Sequence, residues 1–456
     1  MKINFDRELI TKCQTNAPRY TSYPTADRFS LEFNHNHIIE SLRNHNYKEP
    51  ISLYIHIPFC NTLCLFCACN KIITNDRSKI ATYLAYLERE IKLYFDLIGR
   101  RLKVIQLHFG GGTPSWLSPD EIDLVMNIIN KYFDLSEAKE VAIEIDPRYC
   151  SSEFMQALKR NGFNRVSIGL QDFDAKVQKT VNRVQTYEQS KFVLDSALKL
   201  GFTSTNVDLI YGLPHQSLES FSQTIEQIIT LNPDRIALFN YAHIPNNFMP
   251  QTRIKDEDLP QYAVKLDILQ MSVEKLLKHG YVFIGMDHFA KADDELTIAL
   301  NNGSLQRNFQ GYSTFGGTDM LSFGVSSIGY INHAYYQNVK DLDTYYRNLD
   351  NNQHSIMRGV ILNPDDLIRK QVISQIMCEF SLNWKDVSNT YGINALEYFA
   401  VELTKLDQLE SLGLIKLNCD GFKVTDMGRF LIRNVAMVFD HYLASNNKTG
   451  SYSKVI

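Results

Sequence analysis

Between Ile51 and Tyr241 the chain alternates six times between extended and helical patterning, and few architectures accept that rhythm. The extended stretches cover 51–57, 104–109, 140–146, 165–171, 205–211 and 235–241. Within 81–98, Leu84, Leu87, Ile91, Phe95 and Ile98 recur at helical spacing. Ser118-Pro119-Asp120-Glu121 has the form of a capping box with proline at the first helical position. It opens a helix carrying Ile122, Val125, Met126, Ile129 and Phe133. Further helices are predicted near 152–161, 187–200 and 218–231. Strands joined through helices pair in parallel, with the helices packed outside the sheet. Six such units fall short of the eight that close a full barrel.

Side chains alternate across a strand, so each extended stretch can be split into two faces. Ile51, Leu53, Ile55 and Ile57 oppose Tyr54 and His56, while Ile105, Leu107 and Phe109 oppose Gln106 and His108. Val141, Ile143 and Ile145 oppose Glu144 and Asp146, and Val166, Ile168 and Leu170 oppose Ser167 and Gln171. On the fifth stretch Val207 and Leu209 oppose Asn206 and Asp208. One face is therefore fit to pack on helices, and the other turns polar, mostly toward the C-terminal ends. A closed barrel fills its lumen with branched apolar side chains. A polar lumen instead predicts a wide, incomplete barrel with a ligand site at the C-terminal ends of its strands. The alternative, a sheet with one solvated face, is disfavoured by helices between every pair of strands.

The flanking segments read differently. Residues 1–50 form an arm in which Pro18-Arg19-Tyr20-Thr21-Ser22-Tyr23-Pro24-Thr25 is rich in aromatics and hydroxyls. It reads either as a surface arm packed on the main domain or as a lid offering Arg19 and the tyrosines to a flat, anionic substrate. The barrel is expected over 51–290, with a helix over 259–277 and a strand over 281–285 near its end. Residues 291–363 are expected to extend the barrel and cover the site, with glycine-punctuated loops at 307–312 and 324–329. Residues 364–456 are mainly helical, with a hairpin at 415–417 and 422–424 around Asp420-Gly421, similar to a winged helix. The expected fold is α/β: an incomplete (β/α)6 TIM-like barrel with an N-terminal arm and a mainly helical, winged-helix-like C-terminal domain.

Composition excludes several classes. Lysine and arginine number 47 against 51 acidic residues, a net charge of −4, so neither nucleic acid nor another polyanion is an expected partner. No apolar run approaches the ~18 residues of a membrane helix, and the N-terminus lacks an apolar leader core. The expectation is a cytoplasmic protein without a membrane partner. No heptad stripe stands out, so the default state is a monomer. No GxGxxG sequence points to a dinucleotide.

Half of the eight cysteines fall within ten residues: Cys60, Cys64 and Cys67 in a C-x3-C-x2-C spacing, followed by Cys69. The other four, Cys13, Cys150, Cys378 and Cys419, are scattered and read as ordinary buried thiols. Crowded thiols in a cytosolic chain point to metal rather than disulfides. Three thiolates can hold three irons of a four-iron cluster and leave the fourth iron open to a non-protein ligand. Zinc is the competing reading, but cysteine zinc sites usually pair distant C-x2-C units. Cys69 reads as a neighbour of the cluster rather than a ligand. His56 and His108 lack ligand spacing and read as satisfied polar core residues.

With Phe66 before the third cysteine, this loop resembles the signature of the radical S-adenosylmethionine superfamily. Cys69, the P-R-Y-T-S-Y-P-T arm, H-F-G-G-G-T-P, G-L-Q-D-F, D-L-I-Y-G-L-P, F-N-Y-A-H and R-N-F-Q-G-Y narrow it. Together they resemble the oxygen-independent coproporphyrinogen III oxidase (dehydrogenase) family over nearly the whole chain. The resemblance implies a radical oxidoreductase of anaerobic haem biosynthesis with a [4Fe-4S] cluster and S-adenosyl-L-methionine, two molecules of it. A 5′-deoxyadenosyl radical would convert two propionates of coproporphyrinogen III to vinyl groups, giving protoporphyrinogen IX. A reducing donor such as a flavodoxin-type protein is implied. The alternative is a relative that transfers haem or opens its ring on the same scaffold. Such haem-transfer relatives generally lack the fourth cysteine and the arm, so both features favour the oxidase.

By the same resemblance Cys60, Cys64 and Cys67 hold the cluster. Tyr54, Gly111, Glu144 and Ile328 match contacts to the first S-adenosylmethionine. Gly112, Thr113, Gln171, Arg183, Asp208 and Ala242 match contacts to the second, although an isolated Asp208 or Arg183 also reads as a structural ion pair. Tyr54, Asp208 and Gln310 are the implied catalytic positions, Gln310 lying near substrate or the second cofactor. Arg19, Arg165, Arg183 and Arg307 sit in motif segments and are open as partners of substrate carboxylates. Ala68 stands where the family commonly has glycine, which requires a backbone without positive φ there.

Overall fold

The computed structural model describes residues 5–444 and 452–456, which divide into two compact units. The first comprises Phe29–Ser272 and Thr318–Ile361 and holds the predicted strand–helix repeat. Its strands are β1 (Ile51–Ile57), β2 (Leu102–Gly111), β3 (Glu140–Ile145), β4 (Arg165–Gln171), β5 (Ser204–Tyr211) and β6 (Arg235–Asn240). They pair in parallel in chain order, and β7 (Met320–Phe323) adds a parallel partner on the other side of β1. Beyond β7 the sheet turns antiparallel through β8 (Ile328–Ile331), β9 (Ala334–Asn338) and β10 (Ile356–Ile361).

The six predicted strands and the helices between them form within a few residues of their expected limits. The capping box at Ser118 is present: the Ser118 hydroxyl accepts from Glu121 N at 3.2 Å and Ser118 N donates back at 2.7 Å. The apolar faces of β1–β5 are buried under helices, as alternation required: Leu53, Ile55, Leu107, Phe109, Ile143, Ile168 and Val207 are all fully enclosed. Leu259 is extended rather than helical because Pro260 follows it, and the helix runs over Tyr262–Lys278.

Two expectations need correction. Polar lumen residues are not confined to the C-terminal end. Ser52, Gln106, Glu140 and Arg165 form a buried chain at the opposite end, where Ser52 Oγ donates to Gln106 at 3.2 Å. Gln106 Nε2 then donates to Glu140 at 2.8 Å, and Arg165 pairs with Glu140 at 2.6 Å. Arg165 is thereby engaged within the sheet floor. Second, the segment read as a loop at 324–329 already enters β8 at Ile328. The arm also contains a helix, His35–Arg43, with a capping box between Asn34 and His37. Histidine at the third helical position was not recognised as a capping partner.

The long helix α1 (Ser78–Ile98) has a carboxylate where a core residue belongs. Glu90 is fully buried and accepts from Gly324 N at 2.7 Å, Asn338 Nδ2 at 2.6 Å and Tyr345 Oη at 2.6 Å. Two turns earlier, Tyr83 Oη donates to the His56 carbonyl at 2.7 Å and accepts from Val325 N at 3.2 Å. These two side chains fix the turn that delivers Ile328 to the end of β1. Burial pushes the Glu90 carboxyl up to about 7 despite its three donors.

The second unit comprises the N-terminal residues through Arg28, Val273–Gly317 and Leu362–Ile456. It contains hairpins Tyr281–Gly285/His288–Lys291 and Gln306–Asn308/Gly311–Ser313, the latter where a loop was expected. The helix Pro364–Glu379 precedes a small sheet in which Gly421–Val424 lies between Ser381–Asn383 and Ile415–Asn418. The hairpin signal at Asp420-Gly421 therefore holds, with a third strand added. Within this unit the arm is tied down: Tyr20 Oη donates to Asp440 at 3.0 Å, Arg433 Nε donates to the Pro18 carbonyl at 3.0 Å, and Arg19 pairs with Asp287. Of the scattered thiols Cys13 and Cys378 are buried, Cys150 is partly so and Cys419 is exposed, against the expectation for the last. Among the described residues no helix is long and apolar enough to cross a membrane.

Two outcomes test this packing. Glu90 is protonated more readily in the folded chain than in the unfolded one. The stability it contributes is complete below the ordinary glutamate value of 4.5 and lost as pH rises through about 7, on the order of 3 kcal/mol. Glu90→Gln removes that dependence, so its unfolding free energy changes less between pH 4.5 and 7.5 than wild type; parallel pH profiles would contradict the assignment. At the β2 exit, a Cβ on Gly112 would lie 2.6 Å from the Pro58 carbonyl oxygen and 3.0 Å from Cys60 Sγ. Gly112→Ala is expected to cost about 1–3 kcal/mol of stability, read by denaturant unfolding.

Candidate active site

The cysteine loop leaves β1 and is stitched to its surroundings by backbone hydrogen bonds. Gly112 N donates to the Ile57 carbonyl at 2.8 Å and Thr113 N to that of Phe59 at 2.9 Å, joining the exits of β1 and β2. Thr74 N donates to the Cys60 carbonyl at 2.9 Å, and Leu65 N to that of Val181 at 2.9 Å. The residues between the cysteines supply the packing: Leu63, Leu65 and Phe66 join an apolar cluster with Val177, Val181, Leu213, Tyr241 and Ile254. The aromatic before Cys67 is thus an anchor for the loop. Ala68 has no positive φ, as its methyl group requires.

Cys60 and Cys64 are buried, Cys67 is partly buried and Cys69 is exposed. Each thiol has a different neighbour. Thr113 Oγ1 donates to Cys60 Sγ at 3.1 Å. Arg183 Nη1 stands 3.5 Å and Arg148 Nη2 3.9 Å from Cys64 Sγ. A hydrogen bond from Cys69 pulls the Cys67 thiol down to about 6, with Lys71 and Arg183 adding to the effect against the opposing influence of burial. Donors and cations around sulfur favour the thiolate, the form that binds iron. Among the described residues no three of His, Cys, Asp and Glu are placed to share a single ion. Ligands of one zinc must lie within about 2.3 Å of it, whereas cysteines of an iron–sulfur cluster bind separate irons. The thiol set, each sulfur with its own donor or cation, fits an iron–sulfur cluster.

Behind the loop, lumen residues of β1–β3 converge. Tyr54 stacks on His108 with ring centroids 6.0 Å apart and planes at 11°, and its hydroxyl is 3.1 Å from His56 Nδ1. His108 Nε2 lies 3.5 Å from Glu144 Oε1, and Gly111 N donates to Glu144 Oε2 at 3.3 Å. Tyr54, Gly111 and Glu144 are thus brought together, and both histidines are partnered as expected. Burial lowers the His56 pKa, and its second nitrogen lies 3.1 Å from the Asn70 carbonyl. Ile328 follows Ser326, whose φ is 60°, and its carbonyl accepts from Ser322 Oγ at 2.6 Å.

A second group gathers over β4 and β5. Gln171 adopts φ 71°, rare for a residue with a side chain. Gln171 Nε2 and Arg183 Nη2 both come within 3.0 Å of the point a Cβ on Gly169 would occupy. Gln171 Oε1, Arg183 Nε and Asn240 Oδ1 are buried without a hydrogen-bond partner among the described residues. Orphaned polar atoms in a lumen fit a polar ligand, since leaving them unpaired costs roughly 1–3 kcal/mol each. Asp208 accepts from Asn206 at 2.8 Å and Ser167 at 3.2 Å, and burial, with Glu144 nearby, pushes its carboxyl up to about 6. It is not the structural ion pair that an isolated aspartate suggested. Arg183 is paired, with Asp146 at 3.0 Å.

Two contributors escaped the sequence reading. Gln251, almost fully buried, donates through Nε2 to the Phe66 carbonyl at 3.3 Å and the Ala242 carbonyl at 3.2 Å. It joins the cysteine loop to the segment after β6 and places Ala242 beside it. Nothing in its local sequence marked it. Arg148 follows Asp146-Pro147 at the β3 exit, and the lumen position of Asp146 was the available signal. Gln310 belongs to the second unit, in the turn of the hairpin Gln306–Asn308/Gly311–Ser313, where its amide donates to Asn308 Oδ1 at 2.9 Å. Arg307, on the same hairpin, stacks over Tyr312 at 4.8 Å.

Comparison with known proteins bears on the whole chain. The profile of the radical SAM superfamily matches residues 54–228, and that of the HemN C-terminal domain matches residues 362–431. Oxygen-independent coproporphyrinogen III oxidase of Pseudomonas aeruginosa is 46% identical over 100% of this chain and 99% of its own length. The protein of the same name from Escherichia coli strain K12 is 45% identical over 100% and 99%. The solved structure of coproporphyrinogen III oxidase from Escherichia coli, described as a radical SAM enzyme, superposes with a TM-score of 0.92 at 44% identity, covering 97% of this chain and 100% of that one. Taken with the cysteine loop and the polar lumen behind it, this end-to-end similarity means that the chain belongs to the oxygen-independent coproporphyrinogen III oxidase family.

Proposed function

We propose that this chain converts coproporphyrinogen III to protoporphyrinogen IX without oxygen, by oxidative decarboxylation of two propionates to vinyl groups. The observation that carries the reading is the three-thiol loop at the rim of a polar-lined partial barrel, in a chain similar to the family from end to end. When bound, a [4Fe-4S] cluster and S-adenosyl-L-methionine would supply the one-electron radical chemistry for this decarboxylation. No observation favours the haem-transfer or ring-opening alternative.

The chain's own residues bind and orient. Cys60, Cys64 and Cys67 ligate the cluster, and Cys69 stays beside it. Tyr54, Gly111, Glu144 and Ile328 hold the first S-adenosylmethionine; Glu144, already accepting from Gly111 N, has a carboxylate suited to ribose hydroxyls. Gly112, Thr113, Gln171, Arg183, Asp208 and Ala242 hold a second, supported by the orphaned atoms of Gln171 and Arg183. Asp208, with its carboxyl near pH 6, can exchange a proton with a bound ligand close to neutrality. Gln310 serves the substrate side. We further place the enzyme in the cytoplasm as a monomer served by a flavodoxin-type donor, a compartment suited to eight free cysteines.

Ligation is tested by content. Anaerobically reconstituted wild type is expected to hold about four irons and four sulfides, the composition of the cluster. Cys60→Ala, Cys64→Ala and Cys67→Ala should each lose both, while Cys69→Ala retains them; loss in Cys69→Ala would refute the three-ligand set. Reduced holoenzyme supplied with S-adenosylmethionine and coproporphyrinogen III should form vinyl product. Deoxyadenosine without vinyl product would refute the substrate assignment.

A further inference from the structure

The three ligating thiols differ in what surrounds them. Cys60 receives a neutral hydroxyl from Thr113, and Cys64 faces two guanidinium groups. Arg148 Nη2 lies 3.9 Å and Arg183 Nη1 3.5 Å from Cys64 Sγ, both within reach of a hydrogen bond to sulfur. Neither side chain is loosely placed. Arg148 donates through Nε to the Asp146 carboxylate at 2.9 and 3.2 Å and through Nη2 at 2.6 Å. Arg183 Nη1 meets Asp146 Oδ2 at 3.0 Å, and its Nη2 donates to the Gly169 carbonyl. Side-chain exposures are 13% for Arg148, 10% for Arg183 and 4% for Asp146, so solvent screens the trio little. Asp146 is itself fixed by the β3 exit: its backbone N–H donates to Ser115 Oγ at 2.9 Å, and its carboxylate accepts from Arg148 N at 3.1 Å.

Two cations and one anion leave a net positive charge against one sulfur. A cluster gains one negative charge on reduction, and hydrogen bonds and charge at its sulfurs set its potential. Reduction must precede any cleavage of S-adenosylmethionine, so this potential governs whether a physiological donor can start the reaction. We propose that Arg148, held by Asp146, is an electrostatic tuning residue that raises the potential of the cluster through Cys64, with Asp146 setting the limit of that effect. The inference rests on the cluster reading above and concerns only residues outside the ligand set.

The charges make opposite predictions for two neighbouring substitutions. Arg148→Gln removes a cation and should lower the midpoint potential, whereas Asp146→Asn removes the anion and should raise it. Arg148→Lys keeps the charge and should restore the potential toward wild type. Potentials are read by EPR-monitored redox titration of reconstituted protein without S-adenosylmethionine, so binding of that cofactor does not enter. At the wild-type midpoint, the ratio of reduced to oxidised cluster is expected to fall at least threefold in Arg148→Gln and rise comparably in Asp146→Asn. Threefold corresponds to about 30 mV for a one-electron couple. Unchanged potentials, or shifts of both variants in the same direction, would overturn the proposal, since loosened packing has no reason to give opposite signs. Should Arg148→Gln fail to take up iron, Asp146→Asn against Arg148→Lys still decides it: a midpoint of Asp146→Asn at or below that of wild type overturns the tuning role. Wild type without iron and sulfide would instead overturn the cluster reading.

Discussion

The position of β1 between two parallel neighbours is the constraint on which the site depends. Most of its length is paired with β2 on one side and with β7 on the other, so its end cannot shift without moving both. The cysteine loop grows directly from that end, and the exits of β1 and β2 are joined by the amides of Gly112 and Thr113. A loop that must hold separated thiols at fixed positions gains from an origin that has little freedom. Tyr83 and Glu90 extend this logic to the other flank, where they fix the turn before Ile328 to the carbonyl of His56 and to helix α1.

The polar lumen is the second organising feature, and it has two halves with different chemistry. At the floor, Ser52, Gln106, Glu140 and Arg165 are joined side chain to side chain in one largely buried chain. At the rim, Tyr54, His108 and Glu144 are linked more loosely, and Gln171 and Arg183 keep atoms without partners. A closed network gives rigidity, and an open one gives recognition. The same strand period thus produces a plug and a binding surface. What separates them is whether each side chain finds a protein partner across the barrel.

The sequence carried the repeating elements well because they depend on local pattern. Period-two alternation fixed the faces of β1–β5, and Ser118 with Glu121 fixed a helix start. The cysteine spacing and the lumen positions of Tyr54, Glu144 and Asp208 were legible for the same reason. The unread part is long-range. Histidine at a capping position, Gln251 between Phe66 and Ala242, and Glu90 facing Gly324 are defined by partners far away in the chain. Arg165 looked like a candidate for substrate carboxylates until its distance to Glu140 was known. Hairpin 306–313 lacked a hydrophobic alternation long enough to announce strands.

The reach of Gln251 has a consequence for how the protein is made. It closes onto Phe66 across 185 residues, and Arg183 onto Cys64 across 119. At about 5–20 residues per second, Gln251 follows the thiols from the ribosome by roughly 10–40 s. At the start of that interval the nascent chain carries four crowded thiols without their guanidinium neighbours, and throughout it the loop lacks the glutamine that braces it. The cysteine loop, although it lies near the start of the barrel, is therefore braced only after Gln251 has been made, and its thiols are least protected during synthesis itself.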